Sequence, residues 1–334
     1  MSYLNKKEKM LRRRAIGHAF AVICLLGLAG LTGCGNAGEG DQMEEGTGAG
    51  GAWEKHITEE TVRLKGITGE YTLLFLTDTH AIVQSQGASE QEAANEEARY
   101  PTFFNEEGVP SAEQFPEWVR YANENGVDAV LLGGDIIDTP SEANLRWLEE
   151  QLGRLDMPYL YVNGNHDWTY PWEYMTEAGK AAYLPLLEPF MQDDTAIHTL
   201  DFGEFTVVGI DDSPGQVDGG VFPAYEEILE EGRPVIVLAH VPFMTQSVLG
   251  KAREAWSSPV VIGAGNYGGI YPNEDSERFV SLTTAADSPV ELVLAGHVHF
   301  YDRDVIEGER QVLQLVGGAG FQGNAILVHI TGGE

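Results

Sequence analysis

Cysteine is almost missing from this chain. Only Cys24 and Cys34 occur in 334 residues, both near the front, so no disulfide framework can staple the body. Positive charge is scarce as well, with 20 Lys and Arg against 52 Asp and Glu and a net charge of −32. Such a surface repels polyanions, which argues against double-stranded nucleic acid as a partner. Long apolar runs are absent too. Ala19–Leu31 is 13 residues long, short of the about 20 that a spanning helix needs. What is present is ample material for a core: 43% hydrophobic residues, 10% of all residues aromatic.

The first 34 residues have the anatomy of a secretory leader. Lys6, Lys7, Lys9, Arg12, Arg13 and Arg14 precede the apolar run, and Thr32, Gly33 and Cys34 follow it. Leu31-Thr32-Gly33-Cys34 resembles the lipobox of bacterial lipoproteins. That resemblance implies cleavage after residue 33, diacylation of Cys34 and an extracytoplasmic protein held on the membrane by its lipid. Two acyl chains anchor stably where one does not. Residues 34–65 are expected to be the lipidated cysteine and a flexible Gly- and acid-rich tether, because the stretch after Cys34 has little to bury. Residues 66–334 are expected to form the folded domain.

Along that domain, short apolar runs alternate with helical patterns, which predicts an α/β fold with a parallel-rich sheet. Tyr71–Thr77 and Val127–Leu132 read as strands, as do Tyr159–Val162, Pro234–Ala239, Val290–Ala295 and Ala325–Ile330. Ser111 opens one helical pattern and Ser141 another, and residues 172–190 and 223–231 read as largely helical. Hairpins are expected at 196–210 and 302–316. Residues 84–100 read as a polar insertion, either a loop or an exposed helix, and 256–275 as a loop over the site.

The chemistry-bearing residues gather where strands end. Asp78-Thr79-His80, Gly133-Gly134-Asp135, Asn163-Gly164-Asn165-His166-Asp167, His240 and Gly296-His297-Val298-His299 each follow an apolar run. In open α/β sheets such ends are where ligands bind. Carboxylate oxygen with imidazole nitrogen, and no thiolate, suits Mn, Fe or Zn.

The ordered set D-x-H, G-D-x-x-D, G-N-H-D, H and G-H-x-H resembles the calcineurin-like metallophosphoesterase superfamily over residues 70–330. The resemblance implies a four-layer α-β-β-α sandwich of two mixed sheets and a dinuclear metal site acting on a small phosphoester. It would give Asp78, His80 and His299 to the first metal, Asp135 to both, and Asn165, His240 and His297 to the second. His166 would protonate the leaving group, and Asp138 would orient His166. Ordinary alternatives stand beside these roles: Asp138 as a helix cap, Asp167, Asp211 and Asp212 as turn formers, His198 and His329 as structural. Thr139 stands where Ser/Thr protein phosphatases carry Arg-Gly, so their phosphate-gripping arginine is missing from that place. Asp138 also stands where purple acid phosphatases have tyrosine. No appended nucleotide-gripping domain of the 5′-nucleotidase kind is expected. The competing reading is a metal-binding lipoprotein on the same fold that catalyses nothing.

Overall fold

In a strand, alternate side chains face opposite ways, and β2 (Tyr71–Leu76) puts apolar residues on both sides. Leu73 and Phe75 enter a layer with Leu131, Leu160, Ile236, Leu294 and Leu315. Leu74 and Leu76 pack instead with Phe115, Trp118, Leu145 and Leu148. The first layer lies between two sheets and the second between a sheet and its helices. A strand buried on both faces needs this composition, and each such side chain contributes about 1.5–3 kcal/mol by leaving water.

The computed structural model describes residues 53–333, apart from 85–88, 170–174, 193, 257–259 and 264–269. The leader, Cys34 and the start of the tether lie outside the described residues.

The first sheet has the order β1-β11-β2-β3-β4, with β1 at His56–Lys65, β3 at Ala129–Leu132, β4 at Tyr159–Tyr161 and β11 at Asn324–Gly333. The second has the order β5-β6-β7-β8-β10-β9. Its strands are β5 (Ile197–Asp201), β6 (Thr206–Ile210), β7 (Val235–Leu238), β8 (Val290–Ala295), β9 (Asp302–Ile306) and β10 (Val312–Val316). Both are mixed: β2, β3 and β4 run parallel while β11 opposes β2, and β6, β7, β8 and β10 run parallel between antiparallel edges. The outer face of the second sheet packs Val208, Val237 and Val293 against Tyr225 and Phe279. These come from helices Phe222–Glu230 and Glu274–Thr283. The α-β-β-α layering is therefore present.

One boundary needs correction. The expected tether over 34–65 gives way to ordered sheet at its end, since β1 pairs in parallel with β11 from His56↔Asn324 to Lys65↔Gly333. Only Val62 and Leu64 of this strand are buried, so an edge strand with one short apolar contact left no clear alternation. Helices Gln246–Ala255 and Glu274–Thr283 were also missed. Both are opened by side-chain caps, Thr245 accepting from the Val248 N–H and Asn273 from the Ser276 N–H. Among the described residues no helix is long and apolar enough to cross a membrane.

Candidate metal centre

The parallel strands of both sheets deliver their ends to one place. The Gly296 N–H bonds to the His240 carbonyl at 2.8 Å, and the Gly320 N–H to the Thr77 carbonyl at 2.9 Å. His240 Nδ1 bonds across the sheets to the Gly133 carbonyl at 2.8 Å. Five of the seven expected ligands sit in the left-handed region: Asp78, His80, Asp135, His297 and His299, with φ between 44° and 69°. Each non-glycine residue there costs roughly 1–2 kcal/mol, and such strain gathers at functional sites. The neighbouring glycines are needed for close approach. A Cβ on Gly164 would run into the Asp135 carboxylate, and one on Gly296 into Thr77 and Asp78.

The expected ligands converge. Asp78, His80 and His299 place one ligand atom each within 4.8 Å of one another, and so do Asp135, His240 and His297. Asp135 joins the two groups: its Oδ2 lies 3.7 Å from His80 Nε2 and 3.3 Å from His240 Nε2. His299 Nε2 is 3.4 Å from Asp78 Oδ1 and 3.2 Å from His80 Nε2. Asn165, on the short helix Asn165–Trp168, lines the same cavity as His80, Asp135, His297 and His299.

The donor set fits cations. With His240 Nδ1 engaged by the Gly133 carbonyl, its Nε2 is the atom turned toward both Asp135 and His297 Nδ1, the latter 3.2 Å away. Burial resists charge on His240, yet Asp135 and Asp78 push its pKa up to about 10. Burial and the neighbouring His240 push His297 down to about 3. The cluster thus calls for positive charge between facing acceptors. The buried Oδ1 of Asn165 has no hydrogen-bond partner, as suits an oxygen kept for a metal.

Asp138 does not cap the following helix. Ser141 does so, accepting the Asn144 N–H at 3.2 Å. The buried Asp138 carboxylate instead takes His166 Nδ1 at 3.0 Å and His80 Nδ1 at 3.1 Å. It also accepts from Arg99, Nε at 2.8 Å and Nη2 at 2.6 Å. Burial opposes its charge, but hydrogen bonds from Arg99, His166 and His80 outweigh that and hold the carboxyl far below its usual range. For His166, burial lowers the pKa and Asp135 and Asp138 raise it, the net direction being upward.

Asp167 and Asp211 form turns, Asp211 accepting the Ser213 N–H at 3.0 Å, whereas Asp212 reaches across to another strand end. Asp167 accepts backbone N–H groups of Asp135, Ile136, Ile137 and Gly164 at 2.7–3.0 Å. Asp212 accepts those of His240 and Val241. His198 bonds the Tyr161 carbonyl at 2.8 Å and His329 faces Thr72, both away from the cluster. A cavity of about 560 Å³ opens over the site, walled by Phe103, Met175, Trp256, Val260, Ile270 and Phe321. Sequence reasoning missed Arg99 and Phe103. Arg99 is the sole cation in the acidic stretch 84–100, which was the available signal.

A family model described as calcineurin-like phosphoesterase matches residues 71–301, well over half of the chain. The chain belongs to that family. This calcineurin-like phosphoesterase is accordingly a metal-dependent hydrolase of phosphoester bonds with a buried His/Asp site. Among solved structures it is similar to a purple acid phosphatase from yellow lupin (Lupinus luteus) seeds, at 15% identity and TM-score 0.50. The match covers 79% of this phosphoesterase and 46% of the lupin chain, so it spans under half of that protein. A dimetal phosphatase from Danio rerio matches at 12% identity and TM-score 0.43, covering 75% of this chain and 88% of the other. At these identities the lupin likeness shows the fold alone. No curated protein matches the chain in sequence.

Proposed function

We propose that this protein is a membrane-tethered, extracytoplasmic phosphoesterase that hydrolyses phosphomonoesters or phosphodiesters with two metal ions. The observation that carries the reading is the position of Asp135 Oδ2, which faces one histidine of each cluster. Asp78, His80 and His299 would hold one ion and Asn165, His240 and His297 the other, with Asp135 shared. The chemistry such a pair of Mn, Fe or Zn ions supplies when bound is Lewis acidity toward water and phosphoryl oxygens.

The chain's own residues supply the rest. His166 Nδ1 faces the acceptor Asp138, so Nδ1 carries a hydrogen, and Nε2 can carry the proton that the departing oxygen takes. The upward push on its pKa keeps that proton available. His80 Nδ1 also donates to Asp138, which fixes the tautomer that turns the Nε2 lone pair toward the cluster.

The lipid anchor on Cys34 is supported by the basic, apolar and lipobox succession of residues 6–34.

The test uses chelator-treated protein reconstituted with Mn, Fe or Zn, its metal content measured. Turnover of p-nitrophenyl phosphate is compared with that of bis-p-nitrophenyl phosphate. His166→Ala should keep its metal and lose about 10²–10⁴-fold in kcat. Unchanged kcat would remove His166 from the mechanism, and a reconstituted parent inert toward both esters would favour the non-catalytic alternative.

A further inference from the structure

The polar insertion after the first motif turns back into the site. Its helix, Glu90–Arg99, carries four glutamates and a single cation at its end. That cation, Arg99, grips both oxygens of Asp138 in a fork. Its guanidinium lies 4.8 Å from the centre of the Phe103 ring. Phe103 in turn stacks flat on His80, 4.4 Å between ring centres and 5° between planes. The same Asp138 Oδ1 that meets Arg99 takes Nδ1 of both His80 and His166.

One carboxylate therefore orients two imidazoles, one in each role assigned above. A carboxylate torsion is soft, with a broad two-fold profile. A planar guanidinium bonding both oxygens removes that freedom, and a point-charge ammonium does not.

We propose that Arg99 is a positioning residue: by fixing both oxygens of Asp138 it sets the rings of His80 and His166 together. The proposal rests on the reading of His80 as a metal ligand and His166 as the acid. It gives the acidic insertion a purpose in the site, since the cation arrives from a segment far from Thr139, the position next to Asp138.

Full-length protein and its Arg99→Ala, Arg99→Lys and Arg99→Gln variants test it through two readouts. The first is Mn²⁺ affinity of the chelator-treated protein, measured by equilibrium dialysis. The second is kcat and KM on the better of the two nitrophenyl esters. Arg99→Ala should lose about 10–100-fold in Mn²⁺ affinity, in kcat, or in both, while KM changes little. Arg99→Lys should remain impaired, and added guanidinium should restore part of the loss in Arg99→Ala. Should Arg99→Ala fail to fold, Arg99→Gln, neutral and of similar length, is judged by the same criteria. Parent-like affinity and kcat in Arg99→Ala would overturn the proposal. So would full function in Arg99→Lys, or a rise in KM alone, which would make Arg99 a substrate grip. If the parent hydrolyses neither ester, the phosphoesterase reading falls by itself and the Mn²⁺ readout still decides the role of Arg99.

Discussion

The Asp167 carboxylate accepts the backbone N–H of Asp135 at 2.8 Å and that of Gly164 at 2.7 Å. One buried side chain thus ties the turn after β3 to the turn after β4. Its loss leaves buried amides without acceptors, each worth about 1–3 kcal/mol. Asp167→Ala is expected to cost on the order of 3 kcal/mol in urea unfolding, with weakened metal binding. Asp167→Asn keeps one acceptor oxygen and should lose less. Equal stability of Asp167→Ala and parent would show that the two turns hold without this link.

His299 is a partly exposed residue with φ 61°. Both His299→Ala and His299→Gly remove the ring, but only glycine relaxes the backbone. The glycine variant should therefore be the more stable of the two by roughly 1 kcal/mol, though both bind metal poorly. A chemical-denaturation comparison of the metal-free variants reads this directly. An alanine variant as stable as the glycine one would mean that the turn stores no strain.

Glu204, at the β5–β6 turn, accepts the N–H and hydroxyl of Thr68, the Gly69 N–H and the Tyr71 hydroxyl at 2.7–2.9 Å. These bonds, with those from Thr68 first, hold its pKa down to about 2 from 4.5. A depressed carboxyl contributes stability above its unfolded pKa and loses it as pH falls through the folded one. Glu204→Gln should thus melt below the parent at neutral pH, and the gap should narrow as pH drops from 4.5 toward 2. A gap that stays constant over this window would refute the linkage.

Cys34→Ser tests the anchor. Expressed from its natural leader, the parent should partition into the detergent phase and with membranes, and the serine variant into the aqueous phase. Identical partitioning of the two would exclude lipidation as the tether.

The strand ends were legible because each apolar run stops at a Gly, Asp, Asn or His cluster, and residues far apart in sequence could be read as one site from their order. The left-handed ligand positions were not legible, since aspartate and histidine adopt φ above zero more readily than most residues yet still do so rarely. Arg99 escaped because its partner Asp138 lies 39 residues on and no periodicity links them. β1 escaped because it presents only Val62 and Leu64 to the core, too few to set a period.

β11 (Asn324–Gly333) lies between β1 and β2 in the first sheet. Those neighbours are made roughly 250 residues before their common partner. The first sheet therefore stays open along its middle until β11 has been made. Assembly of this half depends on contacts spanning almost the whole domain, the regime in which folding is slow. A nascent chain halted before residue 324 would expose two unpaired strand edges to chaperones and proteases.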